Sequence, residues 1–183
     1  ELAPPYTPAD QDLIKNRISY IETSRGCPYL CSFCLSALDE KVRYFDDTLI
    51  KEQIEFLVEA GVKTIKFIDR TFNLKPKRVM ELMTWLIHFE GTSFHFEVVG
   101  DILTEEILKF LETVPEGMFQ FEIGIQTADE KVQESVHRKQ RNKKLFENIR
   151  RILSAGKIHL HCDLIFGLPG ETLKMILSSF DSV

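Results

Sequence analysis

The sequence predicts an α/β fold, a curved parallel sheet arranged as a partial (β/α) barrel. Strand-like and helix-like stretches alternate five times along 183 residues, which implies parallel strands joined by right-handed crossovers. Polar and glycine-bearing loops follow the strand candidates, where ligands sit in such folds. Five units are too few for a closed eight-stranded barrel, so the sheet is expected to be open, with a sixth strand beyond the last residue.

Residues 1–17, with Pro4, Pro5 and Pro8, read as an irregular lead-in linker packed on the domain, and residues 18–183 as the domain itself. Ile18 to Thr23 is rich in β-branched and aromatic residues and suits a buried strand, broken by Ser24, Arg25 and Gly26. Asp46 or Asp47 caps a helix whose apolar positions Leu49, Ile50, Ile54, Leu57 and Val58 share one face, and Gly61 ends it. A strand from Val62 to Ile68 follows, and Pro76 suits the first turn of a helix reaching Phe89. A strand from Phe94 to Val99 precedes a helix from Thr104 to Thr113. Another strand, Met118 to Ile125, precedes a helix from Asn142 to Ala155 that Gly156 stops. The fifth strand, Ile158 to Phe166, leads into a helix beginning near Thr172.

With 44% hydrophobic and 28% charged residues the chain can bury a core, which excludes a disordered segment. A net charge of −5 argues against a nucleic-acid footprint spread over the whole domain. No apolar run approaches the roughly 20 residues that cross a bilayer, and no basic-then-apolar order marks a signal peptide, so a cytoplasmic location with no membrane partner is expected. The chain opens at Glu1 without an initiating Met and is expected to be a segment of a longer protein.

Three of the four cysteines fall within eight residues, as Cys27-Pro-Tyr-Leu-Cys31-Ser-Phe-Cys34, directly after the first strand. Three thiolates at this CxxxCxxC spacing can hold three irons of a cubane cluster and leave the fourth without a protein ligand. An electron-transfer ferredoxin supplies a fourth cysteine, and structural zinc wants a closed tetrahedron. The alternative is a zinc or iron-sulfur scaffold without catalysis, completed by His161, Cys162 or His137. Cys162 itself reads as a small buried hydrophobe within the fifth strand.

The motif and its placement resemble the radical S-adenosylmethionine superfamily, and the resemblance runs from about Ile18 to Glu171. It implies that Cys27, Cys31 and Cys34 hold a catalytic 4Fe-4S cluster whose open iron binds S-adenosylmethionine. It also implies that reductive cleavage of that cofactor yields a 5′-deoxyadenosyl radical for hydrogen abstraction from substrate. Phe33, at the aromatic position before the last cysteine, is implied to lie by the adenine. Many members carry Gly-Gly-Glu at the end of the second strand to hold the methionine amino group. Here Asp69-Arg70-Thr71 stands instead, which makes Asp69 and Thr71 the candidates; Asp69 could equally pair with Arg70 or Arg25.

In Glu122-Ile-Gly-Ile-Gln126-Thr127, Gln126 resembles the residue that meets the ribose and methionine groups, and its amide offers both donor and acceptor. Glu122 either lines the barrel or belongs to a buried network. Arg138 fits an arginine that pairs with the cofactor carboxylate. The basic stretch His137 to Arg151 reads chiefly as a solvated helix face, with an RNA contact as the lesser alternative. In Asp163-Leu-Ile-Phe-Gly167-Leu-Pro-Gly170-Glu171-Thr172, Ile165 and Gly167 match the core of the adenine motif; a plain strand-to-helix turn needs similar residues.

Within the superfamily, Tyr20 to Cys34 is similar to the subgroup in which a cobalamin-binding domain precedes the radical core. That resemblance implies methyl transfer or oxidative cyclisation of a small-molecule substrate, with cobalamin bound outside these residues. It also implies an electron donor such as flavodoxin or ferredoxin. The tRNA methylthiotransferases share Gly-Leu-Pro-Gly-Glu-Thr and form the main alternative.

Overall fold

The computed structural model describes residues 4–39 and 41–183. Its centre is a five-stranded, all-parallel open sheet in the order β1 (Ile18–Ile21), β4 (Thr64–Phe67), β5 (Ser93–Val98), β6 (Phe119–Gln126), β7 (His159–Leu164). Two further strands, β2 (Ser24–Arg25) and β3 (Arg43–Tyr44), form a short antiparallel ribbon that closes the cysteine loop. The crossovers carry α2 (Asp47–Glu59), α3 (Pro76–Leu86), α4 (Glu105–Leu111), and the pair α5 (Glu130–Ser135) and α6 (Asn142–Ala155). Helix α7 (Leu173–Asp181) follows the last strand, and α1 (Gln11–Ile14) precedes the first. The α/β partial-barrel architecture is thus present, with five strands and no closure.

Because side chains alternate across a strand, each strand divides its residues between two environments. Ile65, Phe67, Phe94, Phe96, Phe119, Phe121 and Ile123 are fully buried against Ile54 and Leu57 of α2, Met83 and Leu86 of α3, Ile107 of α4 and Ile149 of α6. Phe67 stacks on Phe96 at 4.6 Å between centroids, and Phe72 meets both rings. The opposite face carries Lys66, His95, Glu97, Glu122, His161 and Asp163. Removing the helix-side surface from water stabilises the sheet, at about 1.5–3 kcal/mol for each large side chain. It leaves the other face free for polar groups.

Local chemistry sets the boundaries. The Asp46 carboxylate accepts the N–H groups of Thr48 and Leu49 to start α2. Pro76 opens α3, the Thr104 hydroxyl caps α4, and the Thr172 hydroxyl caps α7.

Some expectations need correction. Leu49 is 52% exposed, because the buried stripe of α2 is Ile50, Ile54 and Leu57, and Leu49 lies one residue off it. The first strand stops at Ile21, since Thr23 turns toward the end of β4. The lead-in is not wholly irregular: a 3-10 turn at Pro8–Asp10 runs into α1, Ile14 is buried, and the Tyr6 hydroxyl accepts the N–H of Tyr20 on the edge strand β1 at 2.7 Å. Helix α5 had no sequence forecast; six residues are too few for periodicity, although Asp129 caps it through the N–H groups of Lys131 and Val132.

Candidate functional site

The cysteine loop is fixed at its base by backbone. Gly26 has φ +99°, and a Cβ there would fall 2.3 Å from the Lys41 carbonyl oxygen, so only glycine fits where the two arms of the loop meet. The Cys27 N–H donates to the Asp39 carbonyl, the Cys34 N–H to the Cys31 carbonyl, and the Ser32 N–H to the Val136 carbonyl at the end of α5. The loop is therefore anchored both to itself and across the sheet. Cys27 and Cys31 are buried and Cys34 is exposed.

Thr23, Ser24 and Asp69 hold the loop's entry. The buried Asp69 carboxylate accepts the Thr23 N–H at 2.8 Å, the Thr23 hydroxyl at 2.6 Å and the Ser24 hydroxyl at 2.7 Å. Burial pushes the Asp69 carboxyl above its usual range, and these donors oppose that rise. Arg78 of α3 completes the network, donating to the Thr23 hydroxyl and to Asp47. The sequence pointed Asp69 toward the cofactor ammonium or toward Arg25 or Arg70; in the structure its oxygens serve Thr23 and Ser24, while Arg25 pairs with Glu22. No local signal could reveal this, because the partners are 45 and 46 positions apart.

All three thiols face one cavity of about 200 Å³ at the carboxyl ends of the strands. Phe33, Thr71, Gln126 and Arg138 share its wall, and Glu97, Glu122 and Asp163 line it on the sheet side. Thr71 is buried, with its hydroxyl 3.6 Å from Cys27 Sγ. Gln126 takes a left-handed φ of +66°, and its Oε1 is buried with no hydrogen-bond partner among the described residues. A Cβ on Gly124 would stand 2.3 Å from Gln126 Nε2, so the glycine makes room for that amide. Arg138 donates to the Gly124 carbonyl and to Gln140 Oε1, and its Nη1 lies 4.0 Å from Cys31 Sγ. Burial raises the Cys31 thiol pKa, and Arg138 opposes the rise.

Ile165 and Gly167 lie outside this lining. Ile165 packs with Val132, Val136 and Leu168, and the Gly167 N–H donates to the Glu171 carboxylate at 2.8 Å, which closes the turn before α7. Cys162 packs against the helix-side core, as the sequence suggested. His161 contacts His159 and Gln120, and His137 is exposed.

The sheet floor is strongly coupled. Glu122 lies 3.1 Å from both Lys66 Nζ and His95 Nε2, the second contact poorly aligned for a hydrogen bond. Burial pushes the Glu122 carboxyl up, but Lys66 and His95 outweigh it and hold the carboxyl below its usual value. Glu97, directly opposite Glu122 across the strands, is raised by burial and then by Glu122. Asp163 is raised by burial and then by the same neighbour. Neither Glu97 nor Asp163 was singled out for a site role from the sequence.

The donor set suits an iron-sulfur cubane with one open iron. Three free thiols face the cavity, and among the described residues no three His, Cys, Asp or Glu side chains converge on a single-ion site. Gln126, Arg138, Glu97 and Glu122 line the same cavity and offer polar partners to a ligand beside the thiols.

The cobalamin-dependent radical SAM methyltransferase TokK of Streptomyces tokunonensis is 27% identical over 171 residues, which are 88% of this chain and 25% of TokK. The ribosomal protein uS12 methylthiotransferase RimO of Petrotoga mobilis is 31% identical over 84% of this chain and 37% of its own length. The chain thus spans about a quarter to two fifths of these relatives. In fold, it superposes on the radical S-adenosylmethionine methyltransferase TsrM of Kitasatospora setae with a TM-score of 0.77 at 17% identity, covering 91% of this chain and 32% of TsrM. Residues 21–183 match the Radical SAM superfamily, and the chain belongs to that superfamily.

Proposed function

We propose that these residues form the radical-generating core, residues 18–183, of an enzyme that reductively cleaves S-adenosylmethionine at a 4Fe-4S cluster held by Cys27, Cys31 and Cys34. When bound, the cluster and cofactor would supply a 5′-deoxyadenosyl radical that takes a hydrogen atom from substrate. The carrying observation is the single cavity lined together by Cys27, Cys31, Cys34, Gln126 and Arg138.

Each side chain has a task there. The thiolates of Cys27, Cys31 and Cys34 would hold three irons of the cluster, the first two from buried positions and the third from an exposed one. Arg138, already fixed by the Gly124 carbonyl, offers its guanidinium to the cofactor carboxylate. Gln126 would turn its amide to a hydroxyl or ammonium of the cofactor, and Phe33 would pack by the adenine. The Thr71 hydroxyl lies 3.6 Å from Cys27 Sγ, and Asp69 acts by holding the loop. Ile165 and Gly167 shape the turn beside the adenine.

The likeness to TokK supports a cobalamin-linked methyl transfer; to this we add a small-molecule substrate, oxidative cyclisation as the other outcome, cobalamin held outside these residues and electrons from a flavodoxin or ferredoxin. A cytoplasmic site of action fits oxygen-sensitive chemistry. No helix among the described residues is long and apolar enough to cross a membrane. The likeness to RimO, and to a tRNA-2-methylthio-N(6)-dimethylallyladenosine synthase, favours methylthio transfer to a macromolecule as the second reading. Anaerobic reconstitution with iron and sulfide tests the core proposal. About four irons per chain, a reduced-cluster paramagnetic signal that shifts with S-adenosylmethionine, and release of 5′-deoxyadenosine are expected. Stoichiometric zinc without a cluster overturns it.

A further inference from the structure

We infer that Thr71 sets the reduction potential of the cluster by donating its hydroxyl proton to Cys27 Sγ, a role that rests on the cluster assignment above. Hydrogen bonds to ligating sulfurs withdraw negative charge from an iron-sulfur centre and favour its reduced form. The oxygen–sulfur separation is 3.6 Å, within the range of a hydrogen bond to sulfur.

The hydroxyl has one proton and two lone pairs. With Cys27 as a free thiol, the proton chain can run from Cys27 through Thr71 to the Arg70 carbonyl, 2.7 Å from Oγ1. An iron-bound sulfur has no proton to give. Any hydrogen bond between the two must then come from the hydroxyl, whose one proton is drawn toward the anionic sulfur at 3.6 Å in competition with the neutral Arg70 carbonyl at 2.7 Å.

Its placement is unusually constrained. Thr71 is 2% exposed and lies between two pinned neighbours. Asp69 is bound into the Thr23 and Ser24 donors. Asn73 donates to the Val99 carbonyl and accepts the Val99 N–H, at 2.9 and 2.8 Å, while Phe72 packs on Phe67 and Phe96. The three cysteines are accordingly unequal: Cys27 has Thr71, Cys31 has the more distant Arg138, and Cys34 is exposed. A group held this firmly costs little reorganisation when the cluster changes charge.

The test is a potentiometric titration of the reconstituted full-length protein, followed by the reduced-cluster signal and run without S-adenosylmethionine so that any contact to the cofactor ammonium has no influence. Thr71→Val keeps the shape and removes the hydroxyl. At a fixed potential its ratio of reduced to oxidised cluster is expected to fall about tenfold, which for one electron is about 59 mV. Thr71→Ser is expected to restore the wild-type potential. An unchanged potential in Thr71→Val with full iron content overturns the inference alone. Loss of iron from both Thr71→Val and Thr71→Ala, with Thr71→Ser intact, makes Thr71 a residue of assembly and overturns it as well. Absence of a 4Fe-4S signal from the wild-type protein overturns the cluster assignment itself.

Discussion

Asp69 accepts both the backbone N–H and the hydroxyl of Thr23, at 2.8 and 2.6 Å, and so ties the end of β4 to the start of the cysteine loop. Asp69→Ala strands two hydroxyls and an N–H in the interior. The expected destabilisation is about 3 kcal/mol, read by urea denaturation of the cofactor-free protein. Asp69→Asn keeps one acceptor oxygen and is expected to lose about half as much. Equal stability of Asp69→Ala and wild type contradicts the role.

The cysteines are predicted to separate by position. Cys31→Ala is expected to lose the cluster, measured as iron per chain after anaerobic reconstitution, and Cys162→Ala to keep it, because Cys162 packs on the helix side of β7. Equal loss from both variants would make Cys162 a fourth ligand and remove the open iron.

Gly124→Ala places a methyl group where Gln126 Nε2 now sits. The obstructing atom is the far end of a side chain, so the fold is expected to survive while the amide is displaced. S-adenosylmethionine affinity, followed through its effect on the reduced-cluster signal, is expected to weaken about tenfold, the worth of roughly one hydrogen bond. Unchanged affinity would remove Gln126 from the cofactor site.

Glu97 makes stability depend on pH in a stated direction. Burial, reinforced by Glu122, raises its carboxyl pKa in the folded protein. The folded state therefore holds this proton more tightly than the unfolded chain, and the associated stability is complete below the unfolded value and lost as pH rises through the folded one. At neutral pH the charged Glu97 opposes folding. Glu97→Gln is expected to raise the Tm of the cofactor-free protein at pH 7 relative to wild type, and by less at pH 4. A benefit that is absent, or the same at both values, counts against it.

Much of the fold was readable from local pattern. Helix α6 begins and ends where its apolar spacing and Gly156 placed it, and Pro76 and Thr104 start their helices as expected. The misses share a cause: α5 is too short for a period to emerge, and the end of β1 is set by Asp69, far away in sequence. At the site, the cysteine spacing gave three of the lining residues, and Gln126 and Arg138 came from resemblance; Glu97 stood in no motif, and Asp163 opened the adenine-like stretch without being singled out.

The sequence by itself determined the alternation of strands and helices, the three-thiol loop after the first strand and the superfamily they imply, because periodicity, capping and motif spacing are written in adjacent residues. Only the tertiary structure decided what faces what. Cys27 meets Thr71 across 44 positions, and Cys31 meets Arg138 across 107. A parallel sheet brings the ends of strands together irrespective of their separation along the chain, so the partners that hold and tune the thiols are chosen by topology.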